Sequence, residues 1–143
     1  MIRKILSVIA GVILFYLLVG LSMAIFAKFE LSPMGRFIQL AFSEKTPEES
    51  VKFVTSDEGY DLMHRGITMM GLVVLPLISV GVGFLIGWIS KTRGGLCGVV
   101  VVGPSAAFLM GFSSLISMLS ILMCTVLAAT AGYTANALLF SKE

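Results

Sequence analysis

Long uncharged stretches dominate the pattern of hydrophobic and polar positions along this chain. They cover residues 5–27, 66–90 and 94–141, and charged side chains occur only at the chain ends and between these stretches. A bilayer core of about 30 Å requires roughly 20 apolar residues in helical conformation, so each of the first two stretches is long enough to cross it once. The pattern therefore predicts membrane-spanning helices.

The third stretch is too long for one crossing, because as a single helix it would extend for about 72 Å. The best position for a turn is Gly111-Phe112-Ser113-Ser114, where glycine can end one helix and serine can cap the next. A break at Pro104 would leave a first arm too short to span, so we interpret Pro104, like Pro76, as a kink within a helix. The sequence thus predicts an all-α membrane protein, a four-transmembrane-helix bundle in a single domain, 1–143, with spans at about 5–27, 66–90, 95–111 and 114–140.

The polar connection 28–65 is patterned like a short helical segment. Residues 33–42 place five apolar side chains among only Arg36 and Gln39, which is typical of a short helix in the headgroup region. The five are Phe37, Ile38, Leu40, Ala41 and Phe42. Thr46-Pro47-Glu48-Glu49 has the composition of a capping box with proline at the first helical position. Thr55-Ser56-Asp57-Glu58 predicts a second helix start, with acids at the positive end of the helix dipole. We expect this second helix to continue into the second span.

Tyr60 and His64 are the two candidate ligand-binding residues of this connection. They are four residues apart, so they lie one turn apart on the same face of a helix, just outside the bilayer. Such a pair could hold a quinone headgroup, a haem or a lipid phosphate. The alternative is a histidine at the membrane interface that is satisfied by water or by a carboxylate.

Four spans place both termini on the same side, and the basic residues indicate which side. Five of them lie in very short segments at the two ends and at 91–93, whereas the other five are diluted over 28–65 together with seven acids. The positive-inside rule therefore favours cytoplasmic termini and an extracytoplasmic connection. Arg3, Lys4 and the Ser22-Met23-Ala24 pattern resemble a signal peptide, but the apolar run exceeds the usual h-region of about 7 to 15 residues, and we expect it to be retained. The glycine-rich stretch from Gly81 to Gly98 resembles hairpins of small bacterial membrane proteins, which implies the bacterial cytoplasmic (inner) membrane.

Small residues recur along one face of the last span and in the second. In membranes, close packing through small side chains drives helix association. The candidate packing or interface residues are Ser113, Ser117, Ser120, Cys124, Ala128, Ala131 and Ala135 in the last span, and Gly83 and Gly87 in the second. Such a face can pack inside the fold, against a second copy or against another protein, and the sequence leaves all three open.

Other polar residues in the spans have simple interpretations. Hydroxyl groups in membrane helices usually donate to their own backbone. Asn136 is the only side-chain amide in any span, and we interpret it as an anchor at the membrane interface. Cys97 and Cys124 are interpreted as small apolar packing residues, because no CxxC pair is present and the chain has one histidine.

Composition restricts the class of function. The chain is 57% hydrophobic and 13% charged, with a mean hydropathy of +1.02, against about 25% charged residues in soluble proteins. A net charge of +2 without a basic stripe argues against nucleic-acid binding. The spans hold no acid or base, which argues against ion-coupled transport and against a hydrolase built on the serines of the last span.

We therefore expect no enzyme activity, no catalytic residue, no metal and no cofactor. The sequence favours a non-catalytic accessory, anchoring or assembly subunit of a larger membrane complex. Its partners would be the lipid bilayer and either other integral membrane subunits or further copies of itself. The alternative is a homo-oligomeric passive channel or small-solute transporter lined by Ser and Thr hydroxyls.

Overall fold

The protein is all-α in its computed structural model, which describes residues 2–29, 32–42, 46–91, 93–112 and 114–140. Within these ranges no β-strand is present. The helices are α1 (Ile2–Phe29), α2 (Pro33–Phe42), α3 (Pro47–Val54), α4 (Asp57–Met69), a π-helical turn (Met70–Val74), α5 (Leu75–Ser90), α6 (Gly94–Met110) and α7 (Leu115–Phe140).

Among the residues that the structure describes, three helical segments are long and apolar enough to cross a membrane. They are Lys4–Lys28, the continuous run Asp57–Ser90, and Leu115–Leu139. The helix α6 is apolar but shorter, with 17 residues. These lengths and compositions confirm the predicted all-α fold and indicate a membrane protein.

Local capping signals in the sequence are confirmed where the structure describes them. The Thr46 hydroxyl accepts a hydrogen bond from the Glu49 backbone N–H at 3.4 Å, and the Glu49 carboxylate accepts one from the Thr46 N–H at 3.1 Å. Ser56 caps α4 by accepting from the Gly59 N–H at 3.1 Å. At the predicted turn, α6 ends at Met110 and Gly111 adopts a positive φ of 65°, a conformation that glycine adopts without steric cost.

A π-helical turn interrupts the long second helix just before Pro76. Proline has no N–H to donate to the carbonyl four residues earlier, and its ring crowds that carbonyl. The wider π turn accommodates this mismatch without ending the helix, as such turns do inside α-helices. Pro104, by contrast, lies within an uninterrupted α6.

The chain divides into two compact units, of which the first comprises residues 1–19 and 71–143. Its core lies where α5, α6 and α7 pack on one another, with Val82, Ile86 and Val101 almost fully buried. The first part of α1 joins this core through one face, on which Phe15 is fully buried and Gly11 lies against Ile86.

The second unit comprises residues 20–70 and holds α2, α3, α4 and the end of α1. The rings of Phe37 in α2 and Phe53 in α3 lie 6.1 Å apart. The Gln39 side-chain amide donates to the Ala27 carbonyl at 2.8 Å. This bond satisfies one of the last carbonyls of α1, which have no partner within the helix.

Candidate functional site

The small-residue face of α7 is buried inside the first unit. Of the seven predicted positions, six are buried: Ser117, Ser120, Cys124, Ala128, Ala131 and Ala135. Ser113 lies outside the described residues. The structure therefore places this face against the other helices of the same chain.

Glycines of α5 and α6 face these small residues from both sides. A Cβ atom added at Gly83 would lie 2.7 Å from the Cα atom of Ala128, and one added at Gly87 would lie 2.8 Å from the Cβ atom of Ala135. From α6, a Cβ atom at Gly98 would lie 2.8 Å from the Ala128 carbonyl oxygen. We call this three-helix contact, centred on Ala128, the α7 packing seam. Its helices approach so closely that glycine is required at the facing positions.

Two polar side chains of α7 donate or accept across the seam. The Ser120 hydroxyl donates a hydrogen bond of 2.5 Å to the carbonyl of Gly71, and Gly71 lies in the π-helical turn. The Asn136 amide donates to the Gly87 carbonyl at 2.7 Å, and its oxygen accepts from the Gly94 N–H at 2.6 Å. Asn136 thus ties the end of α5 to the first turn of α6, where helical N–H groups have no partner of their own.

The turn that Asn136 bridges carries backbone strain. Lys91 and Arg93 both adopt left-handed conformations, with φ of 55° and 58°. Residues other than glycine, asparagine and aspartate rarely adopt this backbone conformation, because it costs roughly 1 kcal/mol or more per residue. The two hydrogen bonds of Asn136 offset part of that cost. Sequence reasoning assigned Asn136 to interfacial anchoring and missed this bridge, although its being the only amide in the spans was a signal.

Most hydroxyl groups of the spans donate to their own helix, as predicted. Ser79 donates to the Leu75 carbonyl at 2.6 Å and Ser105 to the Val101 carbonyl at 2.7 Å. Across the described part of the chain, no buried side-chain nitrogen or oxygen lacks a hydrogen-bond partner. These nitrogen and oxygen atoms are engaged in hydrogen bonds that hold the fold.

Tyr60 and His64 lie one turn apart on the same face of α4, as their spacing predicted. Their rings are parallel within 6°, with centroids 6.4 Å apart. Tyr60 is 64% exposed and His64 is also exposed. On the same helix, Arg65 and Asp61 form an exposed ion pair at 3.0 Å. Tyr60 and His64 together offer an exposed, flat aromatic surface and one imidazole.

Other candidate chemistry is sparse. The thiols of Cys97 and Cys124 are free and buried in the first unit. Among the described residues, no three His, Cys, Asp or Glu side chains are grouped so that they could hold a metal ion. Within the described ranges, the α7 packing seam brings together residues of three helices, and its chemistry is that of close helix contact. Comparisons of the chain with protein-family models, with curated proteins and with solved structures find no match.

Proposed function

We propose that this protein is a non-catalytic, multi-pass accessory, anchoring or assembly subunit of a larger membrane complex. The observation that carries the proposal is the use of the polar side chains in the apolar helices. Ser120 and Asn136 join helices to one another, and the buried serines of α5 and α6 donate to their own backbone. Polar groups used in this way stabilise a scaffold, whereas catalysis and ion conduction need groups that are free to meet a substrate or an ion.

The exposed face of α1 supports the attachment of a partner. In the apolar stretch of α1 only 17% of the residues are buried within the chain, whereas in the apolar stretch of Asp57–Ser90 50% are buried. Large aliphatic side chains recur at every fourth position on the outer face and are each more than half exposed: Ile5, Ile9, Ile13, Leu17 and Leu21. Such a ridge suits lipid, and it equally suits the groove of a neighbouring helix.

We further propose that α6 is a fourth span. At 1.5 Å per residue its 17 residues extend for about 26 Å, a few ångströms short of the bilayer core, and local thinning of the bilayer accommodates such a difference at modest cost. Four spans put both termini on one side. The basic residues of the short segments favour the cytoplasm for this side, which makes the connection 28–65 extracytoplasmic. The resemblance of Gly81–Gly98 to hairpins of small bacterial membrane proteins supports the bacterial cytoplasmic membrane.

Gentle extraction tests the subunit proposal. The tagged protein, extracted with its surrounding lipid by an amphipathic polymer, is expected to co-purify with unlike membrane chains in a fixed molar ratio. Replacing Ile9 and Ile13 by alanine should lower that ratio. The matched control replaces Leu122 and Val126, which are exposed on α7, and should leave it unchanged. Recovery as a lone homo-oligomer that conducts ions in liposomes would contradict the proposal and favour the passive channel.

Single cysteines test the arrangement in the membrane. In a background with Cys97 and Cys124 replaced by alanine, a membrane-impermeant maleimide added to intact cells should label Lys52→Cys and not Lys91→Cys. Opening the cells should expose the second position. The reverse pattern would place the connection 28–65 in the cytoplasm, and labelling of both positions in intact cells would contradict a membrane crossing between them.

A further inference from the structure

The ends of α2 and α3 form an apolar cleft on the surface of the second unit. It has a volume of about 220 Å³ and is lined by Ala41, Phe42, Ser50, Val51, Val54 and Thr55. Two of its wall residues are largely exposed, Phe42 at 77% and Val51 at 64%. Leaving a phenylalanine and a valine of the same cleft this exposed to water is unfavourable compared with covering them by apolar groups. The cleft is therefore suited to an apolar occupant.

The contacts of α2 fix the level at which this cleft lies. Gly35 approaches so closely to the Phe26 carbonyl that no side chain would fit between them. One turn further, Gln39 still reaches the carbonyl of Ala27, the last residue of the first apolar stretch. Because α2 stays beside the end of α1 over this turn, and Phe42 lies less than one turn beyond Gln39, the cleft is at the level where the first apolar stretch ends.

A contact with the second apolar stretch gives the same level. A Cβ atom added at Gly66, the first residue of that stretch, would lie 2.9 Å from the Cα atom of Met34 in α2. The helix α2 is thus held between the ends of two membrane-spanning stretches, which is where hydrocarbon gives way to headgroups.

Charge on α3 is segregated away from the cleft. At 3.6 residues per turn, Ser50, Val51 and Val54 fall within about 100° of one another on one side of α3, whereas Glu49 and Lys52 fall on the other side and Glu48 lies at the border between them. These three charged side chains are exposed. A short helix with one apolar and one charged face is typical of segments that lie in the interface plane of a membrane.

We propose that the α2–α3 cleft is an interfacial lipid-binding surface, in which Phe42 and Val51 contact the upper acyl chains of the adjacent leaflet. The charged side of α3 faces the headgroups and water. This surface anchors the second unit at a fixed depth, and it does so in the isolated chain without any protein partner.

Fluorescence quenching tests this proposal on the full chain in vesicles. The only tryptophan, Trp88, is replaced by phenylalanine, and Phe42→Trp then carries the only indole. In phosphatidylcholine vesicles its emission should be blue-shifted, and it should lose most of its intensity when the lipids are brominated in the upper part of their acyl chains. The matched control, Lys52→Trp on the charged side of α3, should keep its intensity and a water-exposed emission maximum.

Two results would overturn the proposal. Unquenched, red-shifted emission from Phe42→Trp would show that the cleft faces water. Unquenched but blue-shifted emission would show that protein covers it, either a second copy or another part of the chain. Far-UV circular dichroism checks that each variant keeps its helices. Val51→Trp, on the opposite wall of the cleft, provides the same readout if Phe42→Trp does not fold.

Discussion

Alanine at Gly83 should separate helices α5 and α7, whereas alanine at Gly81 should not. Both glycines lie within α5, but only Gly83 faces the seam. A Cβ atom at Gly83 would lie 2.7 Å from the Cα atom and 2.9 Å from the carbonyl carbon of Ala128, whereas one at Gly81 meets nothing within 4 Å. The two substitutions are chemically identical, so their difference isolates the helix contact.

The magnitude follows from the distance that must be gained. The nearest atom to the added Cβ is the carbonyl oxygen of Ala128, and ordinary contact begins near 3.4 Å. The helix α5 must therefore move from α7 by up to about 1 Å or distort, and a gap of that size forfeits a quarter to a half of each dispersion contact. Overpacking of this kind costs about 1–3 kcal/mol, and the better helix propensity of alanine returns about 0.5–1 kcal/mol. Gly81→Ala receives only the propensity gain. We expect Gly83→Ala to be less stable than Gly81→Ala by about 2 kcal/mol, or roughly 30-fold in the unfolding equilibrium.

Reversible unfolding in mixed micelles, titrated with a denaturing detergent, measures this difference. Because the clash is with main-chain atoms of Ala128, adding Ala128→Gly to Gly83→Ala should not restore stability. Equal stability of the two alanine variants would refute the contact between α5 and α7 at this level. Rescue by Ala128→Gly would show that side chains, and not backbones, meet there.

Three further substitutions test the bridge, the second unit and the ring pair. Asn136→Ala should lower stability by about 1–3 kcal/mol in the same detergent titration, because two interhelical hydrogen bonds are lost; wild-type stability would contradict the bridge between α5 and α6. Gly35→Ala meets the Phe26 carbonyl, whereas Gly20→Ala meets nothing within 4 Å. Only Gly35→Ala should accelerate amide hydrogen exchange in α2, by about tenfold if the clash lowers the local stability by about 1.4 kcal/mol. Equal exchange rates in the two variants would contradict the close approach of α2 to α1. His64→Ala should leave the haem and quinone content of the purified protein unchanged, and a loss of either would assign the ring pair a cofactor.

Sequence alone predicted the features whose causes are local. The capping box at Thr46, the cap at Ser56 and the helix break at Gly111 each depend on residues within four positions of one another, and the structure contains all three. The buried positions of α7 were also identified, because their spacing follows the helix period. Local backbone preference and helix periodicity are both readable from a single sequence.

The partners of these positions could not be predicted from sequence. Ala128 contacts Gly83 and Gly98 through main-chain atoms, and main-chain atoms are the same at every position in the sequence. Asn136 likewise bonds to backbone groups 42 and 49 residues away. Only the fold decides which helix backbones come close enough to need glycine, and this is why the sequence left internal packing and external contact open.

The π-helical turn was missed for a different reason. Pro76 indicates that one helical hydrogen bond is missing, but a kink and a wider π-helical turn both accommodate a missing bond. The sequence therefore does not distinguish between them. The Ser120 hydroxyl, donating to the Gly71 carbonyl from α7, supplies a partner within the turn. That contact comes from another helix and has no trace in the residues around Pro76.

Closure of the α7 packing seam within one chain is tested most directly by an engineered disulfide. A Cβ atom at Gly95 in α6 would lie 3.6 Å from the Cβ atom of Tyr133 in α7, within the range that a disulfide requires. With the native cysteines replaced by alanine, mild oxidation of Gly95→Cys/Tyr133→Cys in membranes should consume both thiols and leave a monomer. The control pair Gly81→Cys/Tyr133→Cys should keep its thiols or react slowly. Disulfide-linked dimers or unreacted thiols in the first pair would contradict a seam closed by its own chain.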